Sequence, residues 1–210
     1  MIPLSPKVSE QYKKDKKHEL LQAARRVFIR EGYTQATMQS IMNEAGVSRG
    51  AVYSYFDNIE HAFMEVLQFD DRQDILFFEL ADSSPLWPQL TDWVNRQRHS
   101  LKTAGQTLLL AKAEFFLSPG YRRNKESFSY IAERYLQIKE AIESVIVKGT
   151  ERGEFRPRLS PEAVALYFVS FMDGLMLDTF QLGAETTLVE EQLTVFLFSL
   201  KELLRPIDQV

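Results

Sequence analysis

The sequence predicts an all-α protein of two parts, an N-terminal three-helix unit and a larger helical bundle, with about nine helices in total. Three observations predict it. Apolar residues recur at spacings of three and four along most of the chain, the period of a helix with one buried face. No segment shows clean strand alternation bounded by hairpin turns. Two tight, glycine-marked turns divide residues 20 to 63 into three short helices.

Leu20, Ala23, Ala24, Val27 and Phe28 form the stripe of the first helix, and Gly32 ends it because only glycine enters the left-handed region freely. Residues 1 to 12, with Pro3, Ser5 and Pro6, read as a loose tail ahead of it. Thr37 is a good N-cap for a second helix, whose buried side is Met38, Ile41, Met42 and Ala45 and whose end is Gly46. Val47 then packs and Ser48 caps again. The third helix runs from about Arg49 to Tyr55, with Val52 and Phe56 pointing inward by periodicity.

Two short helices joined by a glycine-containing turn of three to four residues make a helix-turn-helix, in which the second helix enters the DNA major groove and reads with its N-terminal residues. Here that element spans about residues 37 to 56. Arg49, Gly50, Ala51, Tyr53, Ser54 and Tyr55 fall at or near its free face. Gly50 and Ala51 are small enough for close backbone approach, and Arg49 suits a bidentate contact to guanine. The serine and tyrosine hydroxyls suit phosphates.

This stretch resembles the N-terminal module of TetR-type transcriptional regulators. The resemblance rests on Ala23-Ala24, Phe28, Gly32-Tyr33, Thr37, Ile41, Ala45-Gly46-Val47-Ser48, Gly50, Tyr53, Tyr55-Phe56 and Glu60, in the family's order and spacing. It covers about a quarter of the chain. Ile59 stands where the family usually places a phosphate-contacting lysine, so that contact does not carry over. Ala36 and Met42 also replace the commoner threonine and alanine, without breaking a cap or the core. The missing charge is expected from Lys13, Lys14, Lys16 and Lys17, just ahead of the first stripe. The expected DNA-contacting set is Thr37, Gln39, Ser48, Arg49, Gly50, Ala51, Tyr53, Ser54 and Tyr55, with Lys14 and Lys17 from this arm.

Charge distribution agrees with a nucleic-acid partner although the formal net charge is −4. Residues 1 to 62 carry nine Lys/Arg against seven Asp/Glu, which leaves a mildly basic head on an acidic body. With 210 residues, 45% hydrophobic and 26% charged, the chain is large enough for a small module and one sizeable core. The expected division is a DNA-binding domain over residues 1–60 and a helical domain over 61–210. Cysteine is absent, so disulfides and thiolate metal sites are unavailable. No secretory leader is evident, and the densest apolar segment, Ala163 to Leu182, is broken by Asp173 and Asp178. The expectation is a cytoplasmic protein with no membrane partner.

Asn58 caps a fourth helix that its apolar positions carry to about Ala81, before Ser83, Ser84 and Pro85 break the pattern. Pro88 suits the first turn of a fifth helix through about Lys102. Gly105 precedes a short helix from Leu108 to Leu117 that Ser118-Pro119-Gly120 closes, and a long seventh helix is expected from about Arg122 to Glu151. Ser160-Pro161 starts an eighth helix, about 161 to 181, and a ninth follows Gly183 over about 187 to 204.

The resemblance implies that the bundle binds a small effector and holds two subunits together, so that paired recognition helices meet a (pseudo)palindromic operator. The last two helices are apolar on most sides and must be covered on most sides. The expected dimer interface is Phe168, Met172, Leu175, Val189, Leu193, Phe196 and Leu200, with a deep intramolecular core as the alternative reading of the same stripes. Gly174, which costs about 1 kcal/mol within a helix, suggests close helix approach, and Asp173-Gly174-Leu175 resembles a triplet common in this helix of the family. The candidate effector pocket is Trp87, Trp93, Phe115, Phe116, Tyr135, Asp173, Met176 and Phe180, although plain core is the commoner use of aromatic residues at helical spacing. Asp173 and Asp178 each need a partner on so apolar a helix, and a cationic ligand is one.

His18, His61 and His99 are scattered and form no metal or catalytic signature, and no phosphate loop, dinucleotide fingerprint or serine elbow occurs. No cofactor is expected and an enzyme is disfavoured. The expectation is a dimeric, ligand-responsive transcriptional repressor. A helical interaction protein without sequence-specific DNA binding is the alternative.

Overall fold

The structure, a computed structural model, describes residues 10–75 and 84–207. Ten α-helices and two short 3-10 turns are present among these residues. They are α1 (Glu10–Gln35), α2 (Met38–Ala45), α3 (Arg49–Tyr53), α4 (Ile59–Ile75) and α5 (Leu86–Lys102). After them come α6 (Leu109–Leu117), α7 (Pro119–Asn124), α8 (Ser129–Glu151), α9 (Pro161–Leu182) and α10 (Val189–Leu204). Among the described residues the all-α expectation is met.

Two boundaries differ from the sequence reading. Residues 10 to 12 are helical, because α1 begins at Glu10 rather than after a tail. The expected long seventh helix is divided: the Ser118 hydroxyl accepts the Tyr121 N–H at 3.1 Å and starts α7, and a 3-10 turn at Lys125–Ser127 separates it from α8. Ser-Pro is a helix start here and not only a stop. The expected end of the fourth helix near Ala81 lies outside the described residues.

The chain packs as two compact units. Among the described residues the first comprises Glu10 through Asp71 together with Leu110–Leu117, and the second comprises the rest. Residue 60 is therefore not where packing changes, since Ala62, Phe63, Val66 and Leu67 of α4 are buried in the first unit. Leu20, Val27 and Phe28 of α1, Ile41 of α2, and Val52 and Phe56 complete that core. Its centre is aromatic. Phe63 lies 4.9 Å from Phe28, 5.0 Å from Tyr33 and 5.2 Å from Phe115 of α6, within the range of favourable edge and tilted ring pairs.

The second unit is a bundle in which α8 packs against α9 and α5 against α10. Its core includes Leu90, Val94, Ile142, Ile146, Phe168, Met172, Leu193 and Phe196. Phe196 stacks on Phe171 at 4.2 Å and meets Phe168 edge-on at 5.0 Å. Buried Glu154 accepts the Leu86 N–H at 2.7 Å and satisfies the start of α5, where Pro85 offers no capping side chain. By length and composition alone, α9 reaches the threshold of a membrane span, with 22 residues and a mean hydropathy of 1.4. Its Val164, Ala165, Phe168, Val169, Met172 and Leu175 are spent on the core of the bundle.

Candidate nucleic-acid interface

The first unit builds a helix-turn-helix from backbone upward. α1 breaks at Gly32, whose φ of +72° is left-handed, and the chain departs from regular helix there, ahead of α2. Thr37 caps α2: its Oγ1 accepts the Ser40 N–H at 3.0 Å, and the Ser40 hydroxyl lies 2.9 Å away. Gly46, at φ +63°, ends α2 with its N–H directed back to the Asn43 carbonyl. The turn then delivers α3, held from behind by fully buried Val52 and Phe56.

An ion clamp fixes α2 against α1. Glu44 accepts from Arg26 Nε at 2.6 Å and from Arg30 at 2.8 Å, while Arg30 also reaches Glu31 at 2.7 Å. The Arg26 and Arg30 guanidiniums hold the Glu44 carboxyl below the usual glutamate range, and Arg30, aided by Ser40, does the same for Glu31. A depressed folded-state pKa contributes stability that is present above the unfolded value, about 4.5, and lost as the pH falls. Glu44→Gln is therefore expected to lower the melting temperature at pH 7 by an amount that shrinks toward zero well below pH 4.5. An equal difference at every pH in scanning calorimetry would remove the clamp from the account.

The outward residues of α3 are Arg49, Gly50, Tyr53 and Ser54, all exposed, with Ala51 half-buried. The Arg49 guanidinium sits over the Tyr53 ring, 5.1 Å from its centroid, which limits its freedom while leaving its N–H edge available. A Cβ added at Gly50 would meet nothing within 4 Å, so no neighbour among the described residues explains the glycine. Ser48 occupies the N-cap position, but its hydroxyl makes no capping hydrogen bond, contrary to the sequence reading. The Ser54 hydroxyl donates to the Ala51 carbonyl at 2.7 Å. Exposed Gln39 donates to Asn43 at 2.8 Å.

Two residues of the expected set lie elsewhere. Tyr55 is half-buried and turns toward α1, with its hydroxyl 3.5 Å from the Lys13 carbonyl oxygen, so it leaves the free face. Lys17 pairs with Glu65 of α4 at 2.7 Å. Lys13 and Lys16 pair with Glu10 and Glu19, and among the described residues Lys14 shows no such pairing. Asn58 caps α4 by accepting the His61 N–H at 2.8 Å, and apolar Ile59 opens that helix where a phosphate contact would otherwise stand. Helical periodicity finds faces but not pairs, so Lys17–Glu65 and the Glu44 clamp carried no sequence signal.

The eight expected pocket residues are divided between the two units. Phe115 is buried in the first unit against Tyr33 and Phe63, with Phe116 beside it at 5.7 Å. Tyr135, Asp173 and Phe180 are exposed, while Trp87, Trp93 and Met176 pack at the edge of the bundle core. A shallow depression of about 390 Å³ lies in the second unit among Phe171, Asp178, Leu182, Leu188, Glu191 and Val195.

The expected dimer residues belong to the protomer's own core. Phe168, Met172, Leu175, Val189, Leu193, Phe196 and Leu200 are buried within the protomer, none more than 7% exposed. An apolar stripe at helical spacing cannot reveal which of two apolar faces is turned inward. The faces left uncovered on α9 and α10 carry Leu166, Tyr167, Leu177, Leu182, Val195 and Phe198. Gly174 is exposed, and a Cβ added there would meet nothing within 4 Å among the described residues, so the expected close helix approach is not made among them.

A capped helix-turn-helix in one unit and a helical bundle in the other define the class of two-part DNA-binding regulators. A family model described as bacterial regulatory proteins, tetR family, matches residues 20–66, and one described as tetracyclin repressor-like, C-terminal domain, matches residues 89–190. The chain is 28% identical over 174 residues to the uncharacterized HTH-type transcriptional regulator YfiR of Bacillus subtilis, covering 82% of this chain and 84% of that one. It is 26% identical over 164 residues to the HTH-type transcriptional repressor DhaR of Mycobacterium sp., covering 77% and 80%. Among solved structures it matches a SmeT–triclosan complex with a TM-score of 0.75 at 16% identity, over 92% of this chain and 93% of that one. SmeT is described as the repressor of a Stenotrophomonas maltophilia multidrug efflux pump. The chain belongs to the TetR family and is a DNA-binding transcriptional regulator.

Proposed function

We propose that the protein is a homodimeric, cytoplasmic repressor without catalytic activity, released from its operator by a small molecule. The observation that carries this reading is the outward face of α3, where Arg49, Gly50, Tyr53 and Ser54 are exposed after the turn that Gly46 begins. Arg49 reads a base edge, Tyr53 orients it, and Gly50 lets the groove wall approach. Thr37, Gln39, Ser48, Ser54 and Lys14 contact sugar and phosphate.

Two such helices must sit about 34 Å apart to meet successive major grooves, which requires a pair of subunits and a (pseudo)palindromic site. The uncovered apolar faces of α9 and α10 supply the surface, and a second copy's helix against Gly174 supplies the approach that glycine permits. The Val195→Glu/Phe198→Glu variant is expected to sediment as a monomer with unchanged helical content. Its operator affinity should fall by about two orders of magnitude as the second half-site is lost. A variant that remains dimeric at micromolar concentration would place the interface elsewhere.

A small-molecule effector is supported by the family and by the triclosan complex of a protein with this fold. Its action is a population shift, no larger than the ratio of its affinities for the two conformations. Footprinting of the upstream intergenic DNA tests the reading: protection of one two-fold-related site supports it, and uniform protection without a site opposes it.

A further inference from the structure

One helix of the first unit comes from far along the chain. Residues 110–117 of α6 pack with Glu10 through Asp71, although the sequence on both sides of them belongs to the second unit. Two consecutive side chains make the attachment. Phe115 joins the aromatic centre, 5.0 Å from Tyr33 and 5.2 Å from Phe63. Glu114 places Oε2 at 2.7 Å from the backbone N–H of Thr34, 80 residues earlier.

The recipient of that hydrogen bond is the exit from α1. Gly32 leaves helical backbone, and N–H groups following such a break need an acceptor from outside the helix. The Glu114 carboxylate supplies one. A Cβ at Gly32 would stand 2.6 Å from Glu114 Oε2, so the absence of a side chain is what admits the carboxylate. Three residues beyond Thr34 is Thr37, the cap of α2, and α2 in turn carries α3.

We propose that Glu114 is a positioning residue for DNA recognition, a carboxylate clasp from α6 that fixes the α1–α2 corner and through it the seat of α3. Lys112 of α6 lies 3.9 Å from both Asp70 and Asp71 of α4, and Arg25 of α1 meets the same Asp70 at 2.6 Å. The inference rests on the reading of function above and adds to it the group through which α6 holds the corner.

The test combines hydrogen–deuterium exchange at the Thr34 amide with titration of the upstream duplex against wild type, Glu114→Ala and Glu114→Gln. The amide oxygen of glutamine still accepts a hydrogen bond, whereas alanine cannot. Thr34 should exchange at least about tenfold faster in Glu114→Ala, and operator affinity should fall about tenfold, with the salt slope unchanged because no phosphate contact is removed. Glu114→Gln should stay within about threefold of wild type in both measurements. Unchanged Thr34 exchange in Glu114→Ala overturns the clasp, as does binding of that variant equal to or tighter than wild type. Equal weakening by glutamine and alanine overturns it too, since charge rather than hydrogen bonding would then matter. A wild type that binds no duplex overturns the functional reading as well, whereas an indifferent Glu114 in a protein that binds overturns this inference alone.

Discussion

Replacing Phe63 by alanine is expected to cost the first unit about 3–5 kcal/mol, the range for removing a buried aromatic that leaves a cavity. Phe63 is fully buried and its ring touches Phe28 of α1, Tyr33 beyond the Gly32 break, and Phe115 of α6. It is the ring on which three separate chain segments converge, so no single neighbour can move in to fill the gap. A loss of that size is a large part of the roughly 5–15 kcal/mol that holds a typical domain together. DNA binding should fail with it, because the seat of α3 is part of the same core. Denaturant unfolding reads the effect; a loss below about 1 kcal/mol would mean that the cluster is not the centre of the unit.

Arg49→Ala is expected to weaken binding to the cognate operator by about 10- to 100-fold, the equivalent of one bidentate base contact at roughly 1–3 kcal/mol. The informative companion is Arg49→Lys. Lysine restores the charge but not the planar fork, and it stacks less well on Tyr53. Binding of this variant should therefore keep the wild-type salt slope while losing discrimination at one base pair of each half-site. Full recovery of discrimination by lysine would mean that Arg49 contacts phosphate. Competition with operators altered one base pair at a time separates the two outcomes.

The fold was legible in this sequence to the extent that local chemistry decides it. Thr37 and Ser160 cap helices as their positions suggest, and Gly32 and Gly46 adopt the left-handed backbone that only the stop of a helix requires. Residues separated by three or four positions report a face, so Val52 and Phe56 were readable as the hidden side of α3. What escaped is what depends on distant partners. Tyr55 looked outward on a helical wheel, yet it turns toward the Lys13 backbone, and Lys17 looked like a free arm, yet Glu65 holds it. Which face of α9 and α10 is spent inside the protomer was unreadable for the same reason: both helices have apolar residues on both faces, and only packing shows that Phe168 and Phe196 serve the protomer while Val195 and Phe198 are exposed. Glu114 gave no signal at all, since an acidic residue on a short apolar helix resembles ordinary surface charge until the fold sets it beside Thr34.

The most direct test of the central claim, that α3 reads DNA, is a mobility shift of the purified protein with its upstream intergenic fragment at about 50 and 200 mM salt, alongside the Arg49→Ala/Tyr53→Ala variant. The structure predicts salt-sensitive binding by the wild type, falling by roughly 10³-fold or more over that range if six or more phosphates are contacted, and loss of sequence-specific binding by the variant. Equal, sequence-specific binding by both proteins would contradict it and move recognition away from α3.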